Sequence, residues 1–135
     1  RETGALEVHA YDQDEVLAGQ GTTGREFERQ VPDLDTVLVA VGGGGFIGGI
    51  AGWFEGRTRV IGVEPATSRA LHAALEAGRP VPVEVKGIAA DSLGARQAGA
   101  RMFPIAQRGV ERVVLVDDAA IRSAQRLLWQ EARIV

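Results

Sequence analysis

Apolar positions fall into short β-prone runs separated by stretches of helical spacing. The clearest run is Val37-Leu38-Val39-Ala40-Val41, which passes directly into Gly42-Gly43-Gly44-Gly45. A buried strand ending at a sharp turn is predicted there, followed by a helix of small and apolar residues from Ile47 to Glu55 that stops at Gly56. Arg59-Val60-Ile61-Gly62-Val63-Glu64 reads as the next buried strand, ended by Pro65. Thr67 to Ala77 reads as a helix with Leu71, Ala74 and Leu75 on one face, closed by Gly78. Arg112-Val113-Val114-Leu115-Val116 predicts a third buried strand. A helix capped by Asp117 or Asp118 follows, with Ile121, Ala124, Leu127, Leu128 and Ala132 as its apolar stripe.

The remaining segments are less periodic. Ala5 to Tyr11 alternates well enough for a short strand, and Asp12, Asp14 and Glu15 then supply a cap and first-turn acid for a brief helix. Ala18-Gly19-Gln20-Gly21-Thr22-Thr23 interrupts it, and a second helix capped by Thr22 or Thr23 runs through Phe27 to Gln30, before Pro32-Asp33. Pro80, Pro82 and Gly87 break residues 79–101 into an ordered loop folded over something, and Phe103 to Arg108 forms a short helix. Strands alternating with helices predict an α/β fold: three αβα layers with a mostly parallel sheet and right-handed crossovers. Residues 1–135 read as one domain, without repeats or low-complexity linkers.

Composition narrows the class. Hydrophobic residues make up 45% and charged ones 24% of the 135 residues, as in a globular chain. No apolar run is long enough for a membrane span. The net charge of −3, with no dense basic run, argues against nucleic acid. There is no cysteine, so a disulfide framework, a thiolate nucleophile and a cysteine zinc site are excluded. A cytoplasmic location is the expectation. Arg1 follows no initiator methionine and Ile134-Val135 opens a new apolar run, so a piece of a longer polypeptide is expected.

The four glycines carry the chemistry. Their amides, with no Cβ in the way, can wrap an anionic group at the start of a helix, which favours a phosphate-bearing ligand. The plain alternative is a turn that only lets strand and helix pack closely. A sharper alternative is a dinucleotide fingerprint, Gly43-x-Gly45-x-x-Gly48, with Glu64 at the end of the next strand as a ribose contact. Glu64 is also open to metal binding, or to capping the helix that follows. His9 and His72 lack metal-ligand spacing, and Ser68, Ser92 and Ser123 lack a nucleophile context. Lys86 is the one lysine, and it reads as an exposed loop residue.

Several stretches, taken in order, resemble threonine/serine dehydratases and serine racemases, which are fold-type II pyridoxal-phosphate enzymes. They are Tyr11-Asp12, Ala18-Gly19-Gln20-Gly21-Thr22, Val41 through Gly49, Gly62-Val63-Glu64-Pro65 and Leu75 through Pro80. Ile88-Ala89-Ala90-Asp91-Ser92, Phe103-Pro104-Ile105 and Glu131 through Val135 extend the match over essentially the whole chain. The resemblance implies the later part of a large, cofactor-holding domain, in which Gly42, Gly43, Gly44, Gly45 and the amide of Phe46 bind the phosphate of pyridoxal 5'-phosphate. Asp91-Ser92 would approach the cofactor ring, with Ser92 standing where many relatives have glycine. The Schiff-base lysine would lie in an earlier segment that no stretch here matches, and the group contacting the pyridine nitrogen would follow Val135. No catalytic residue is therefore assigned within the chain. Some relatives bind a divalent cation through a carboxylate matching Glu64 and an acid six residues on, which is Ala70 here, so no metal site is expected. The implied reaction converts L-threonine or L-serine to a 2-oxo acid and ammonia, in a homodimer or larger homo-oligomer. A racemase on the same scaffold, an NAD- or FAD-binding domain and a non-catalytic fragment are the alternatives.

Overall fold

The protein's structure, a computed structural model, describes residues 3–134; Arg1, Glu2 and Val135 lie outside the described residues. Three strands form one parallel sheet in the order β1-β2-β3. They are β1 (Thr36–Ala40), β2 (Arg59–Pro65) and β3 (Val110–Val116). The helices around it are α1 (Asp14–Gln30), α2 (Gly45–Phe54), α3 (Ala70–Ala77), α4 (Ala90–Leu93), α5 (Phe103–Gly109) and α6 (Asp118–Ala132). The α/β architecture expected from the alternation is the one observed.

The hub is α2. Its residues Ile47, Ile50, Ala51 and Phe54 are buried among Val37, Val39, Val41, Val60, Met102 and Ala106. A helix so apolar all round has to be enclosed, and α1, α5 and the sheet enclose it. The opposite sheet face carries Leu38, Ala40, Ile61, Val63 and Val114, placed side by side by the register Leu38↔Ile61, Ala40↔Val63 and Val63↔Val114. Leu38 and Val114 on that face are exposed.

Several local expectations are corrected. Ala5 to Tyr11 is not a strand. Instead the Nδ1 of His9 accepts the N–H groups of Tyr11 and Asp12, at 3.2 and 2.9 Å, and turns the chain. The two short helices around Ala18–Thr23 are one helix, α1, with Gln13 as its N-cap. Gly21 of α1 and Gly49 of α2 serve packing: a Cβ at Gly21 would stand 3.2 Å from the carbonyl oxygen of Gly49, and one at Gly49 would stand 2.5 Å from the carbonyl oxygen of Leu17. The third strand is not a buried one, since only Val110 of β3 is buried. The predicted stripe on α6 exists as a pattern, capped by the Asp117 side chain, but no residue of α6 is buried. The helix expected from Thr67 starts at Ala70, after a turn in which Ser68 N–H donates to the Pro65 carbonyl at 2.9 Å. Residues 79–101 form an irregular segment interrupted by the four-residue α4.

Candidate functional site: the glycine turn at the start of α2

Strand β1 delivers the chain to the turn. The Val41 N–H still bonds the Val63 carbonyl, at 3.0 Å, and the next residue leaves the sheet. Gly44 is the N-cap of α2 with φ of +94°, a left-handed conformation that favours glycine. From Gly42 to Ile47 no backbone N–H donates to an acceptor among the described residues; the first that does is Gly48, to the Gly44 carbonyl at 2.8 Å. Orphan donors at a helix N-terminus need an outside partner, and the helix partial charge favours an anion there. The first turn of α2 holds no acid to take that role. A phosphate matches both the donor set and the charge.

Three other segments press on the turn. A Cβ at Gly43 would fall 2.4 Å from the ring of Tyr11, one at Gly45 would fall 2.4 Å from the Tyr11 carbonyl oxygen, and one at Gly44 would fall 2.4 Å from Met102 Cε. One at Gly42 would stand 3.3 Å from Leu93 Cα. Close packing and amide presentation are thus both properties of this turn: the glycines let Tyr11, Leu93 and Met102 in from behind and leave the N–H groups unspent. The roles of Tyr11, Leu93 and Met102 escape sequence reasoning, because nothing local to those residues says they meet residues 42–45. Tyr11 and Asp12 stand out in the sequence as a motif, without a role.

The segment expected to approach a cofactor is brought to the turn. Leu93 closes α4 against Gly42, its carbonyl held by the buried Ser68 Oγ at 3.1 Å. Asp91 and Ser92 are exposed on α4, with Ser92 Oγ 3.4 Å from Asp91 Oδ1.

Glu64 takes the capping role. It is fully buried, and its two carboxylate oxygens accept the N–H groups of Leu71 and His72, each at 2.8 Å. Burial pushes its carboxyl up to about 7, against the opposing pull of those two bonds and of Arg69. At 0% exposure and turned to the backbone of α3, this carboxylate is closed off from a ribose in solvent, which argues against the acidic half of the dinucleotide fingerprint. Elsewhere, His72 pairs with Glu76 at 3.2 Å, and Lys86 is an exposed residue paired with Glu84, outside the glycine turn.

Comparison with known proteins identifies the family. The sequence profile of the family described as pyridoxal-phosphate dependent enzyme matches residues 1–135. The L-threonine ammonia-lyase of Geobacter sulfurreducens is 39% identical over 137 residues, a match covering 99% of this chain and 34% of that protein. A threonine deaminase structure, its source given as T.th., superposes with a TM-score of 0.90 at 34% identity, over 99% of this chain and 51% of the other. Maize serine racemase gives 0.92 at 30% identity, over 98% and 42%. The chain spans about a third of the length of the curated relatives it matches. With a family profile matched from end to end and the fold of its solved members, this chain belongs to the pyridoxal-phosphate-dependent enzymes of fold-type II.

Proposed function

We propose that the amides of Gly42, Gly43, Gly44, Gly45 and Phe46 hold the phosphate of pyridoxal 5'-phosphate, and that the activity served is an ammonia-lyase reaction on L-threonine or L-serine. The observation that carries the reading is the run of amides without protein acceptors at the start of α2. The substrate class rests on relatives that are themselves named threonine ammonia-lyase and threonine dehydratase. Cytoplasmic location and a homodimer or larger assembly belong to the same proposal.

Bound in this way, the cofactor supplies an electron sink for bond cleavage at the amino-acid α-carbon. The chain's own contribution is anchorage and orientation. Five amides fixed by a helix and a strand hold an anion in one place without reorganising, which is the entropic half of catalysis. Leu93, packed on Gly42, sets α4 beside the turn, and in this reading Asp91 and Ser92 on α4 limit what approaches the ring. Racemisation is the second reading, favoured by the close superposition on maize serine racemase. It uses the same phosphate anchor and differs in groups that touch substrate.

The test is calorimetric titration of the chain with pyridoxal 5'-phosphate and, in parallel, with NAD. Wild type should bind the first and not the second. Gly44→Asp, which adds a carboxylate among the amides, should lose more binding than Gly44→Ala, which meets Met102 and the φ of +94° in the same way without the charge. Binding by Gly44→Asp equal to that of wild type would remove the phosphate from this turn.

A further inference from the structure

The carboxylate of Asp12 takes no part in the phosphate reading so far, yet it is joined to the turn through two steps. Its Oδ2 accepts the N–H of Ala100 at 2.9 Å and its Oδ1 the N–H of Arg101 at 2.8 Å. A Cβ at Gly99 would stand 2.5 Å from Asp12 Oδ1, so residues 99–101 lie directly against the carboxylate. Gly99 in turn donates its N–H to the carbonyl of Gly43 at 2.9 Å. In a trans peptide the C=O and the following N–H point in opposite directions, and no peptide bond among the described residues is cis. A Gly43 carbonyl held toward Gly99 therefore directs the Gly44 N–H away from it, toward the side where no protein acceptor meets it.

We infer that Asp12 is a positioning residue for the anion site: it holds residues 99–101 so that the Gly99 amide sets the plane of the Gly43–Gly44 peptide and aims the Gly44 N–H at the ligand. This rests on the reading of Gly42 to Phe46 as the phosphate site. Charge alone argues in the opposite direction. A carboxylate near an anion repels it, so removing Asp12 for its charge would tighten phosphate binding, whereas removing it as a positioning group weakens binding. The sign of the effect separates the two roles.

Asp14 provides the control. Its carboxylate receives both of its bonds from Arg101 Nη1, at 3.0 Å, and among the described residues it accepts no bond from residues 99–100 or the turn. The experiment titrates the 15N-labelled 135-residue chain with inorganic phosphate and follows backbone amide resonances. In wild type the amides of Gly43 to Phe46 should shift. Asp12→Ala should weaken phosphate binding about tenfold, the loss expected when a charged hydrogen-bonding partner is deleted, and should move the Gly44 resonance in the free protein. Asp12→Asn keeps the shape and one acceptor, so its loss should be smaller and of the same sign; it carries the test if the alanine variant does not fold. Asp14→Ala should bind as tightly as wild type or more tightly. Unchanged or tighter binding in the Asp12 variants, or an equal loss in Asp14→Ala, would overturn the positioning role alone. A wild-type titration that leaves Gly43 to Phe46 unmoved would overturn the phosphate reading itself.

Discussion

Burial changes what Glu64 does as the pH rises. Its carboxyl, ordinarily near 4.5, is pushed up to about 7 in the folded chain. Between those values the native state keeps a proton that the unfolded chain has released, so this group's contribution to stability falls as pH climbs from 4.5 to 7. The full drop is about 3 kcal/mol at ~1.4 kcal/mol per unit. The free energy of urea unfolding at pH 5 and at pH 8 should show that decline, and Glu64→Gln should flatten it. An unaltered slope in the variant would place the titrating group elsewhere. Lys86 makes the contrasting case: its ion pair is an exposed one with Glu84, so Lys86→Ala should change unfolding free energy by less than about 0.5 kcal/mol. A larger loss would mean that the amine does something its surroundings do not show.

Among the elements, α1 and α2 test what glycine does inside a helix. At Gly19 a Cβ would meet nothing within 4 Å, and at Gly49 it would meet the backbone of Leu17 and Gly21 at 2.5 and 2.6 Å. Gly19→Ala should therefore stabilise by up to about 1 kcal/mol through helix propensity, and Gly49→Ala should destabilise by roughly 1–3 kcal/mol because neither backbone can yield. Thermal melts of the two variants that shift in the same direction would contradict the packing assigned to this pair. The same contrast explains which features the residues disclose on their own. The strand, glycine turn and helix from Val37 to Phe54 are contiguous, so their pattern and their chemistry are both visible in the residues. Gly19 and Gly21 read as a break because propensity alone argues against them, and the partner that makes Gly21 useful, Gly49, lies on another helix. Likewise, Gly42 to Phe46 is legible as a candidate anion site, but the parts of Asp12, Leu93 and Met102 are not. They depend on long-range contacts that leave no local periodicity.

Across the molecule, the apolar residues left exposed include Leu38 and Val114 on one sheet face, and Leu127, Leu128 and Trp129 on α6. Substitutions at the α6 positions should cost this chain little, and Leu127→Ser should keep the free energy of urea unfolding within about 0.5 kcal/mol of wild type; a larger loss would show α6 to be part of the folded core. Geometry also bears on when the proposed anion site comes into being. Its amides come from Gly42 to Phe46, packed from behind by Tyr11, Leu93 and Met102, and the bond from Ala100 to Asp12 spans 88 positions of sequence. Contacts that distant carry a large loop-closure cost, so the site is expected to form after the folding transition state. A ligand that needs the turn in its packed form cannot assist the chain on its way to the native state; it can only delay the return. Phosphate should leave the refolding limb of a chevron plot where it is and lower the unfolding limb by the whole factor of its stabilisation. On that proposal the glycine turn is a latch on a finished fold, setting how long the native state lasts and not how quickly it is reached.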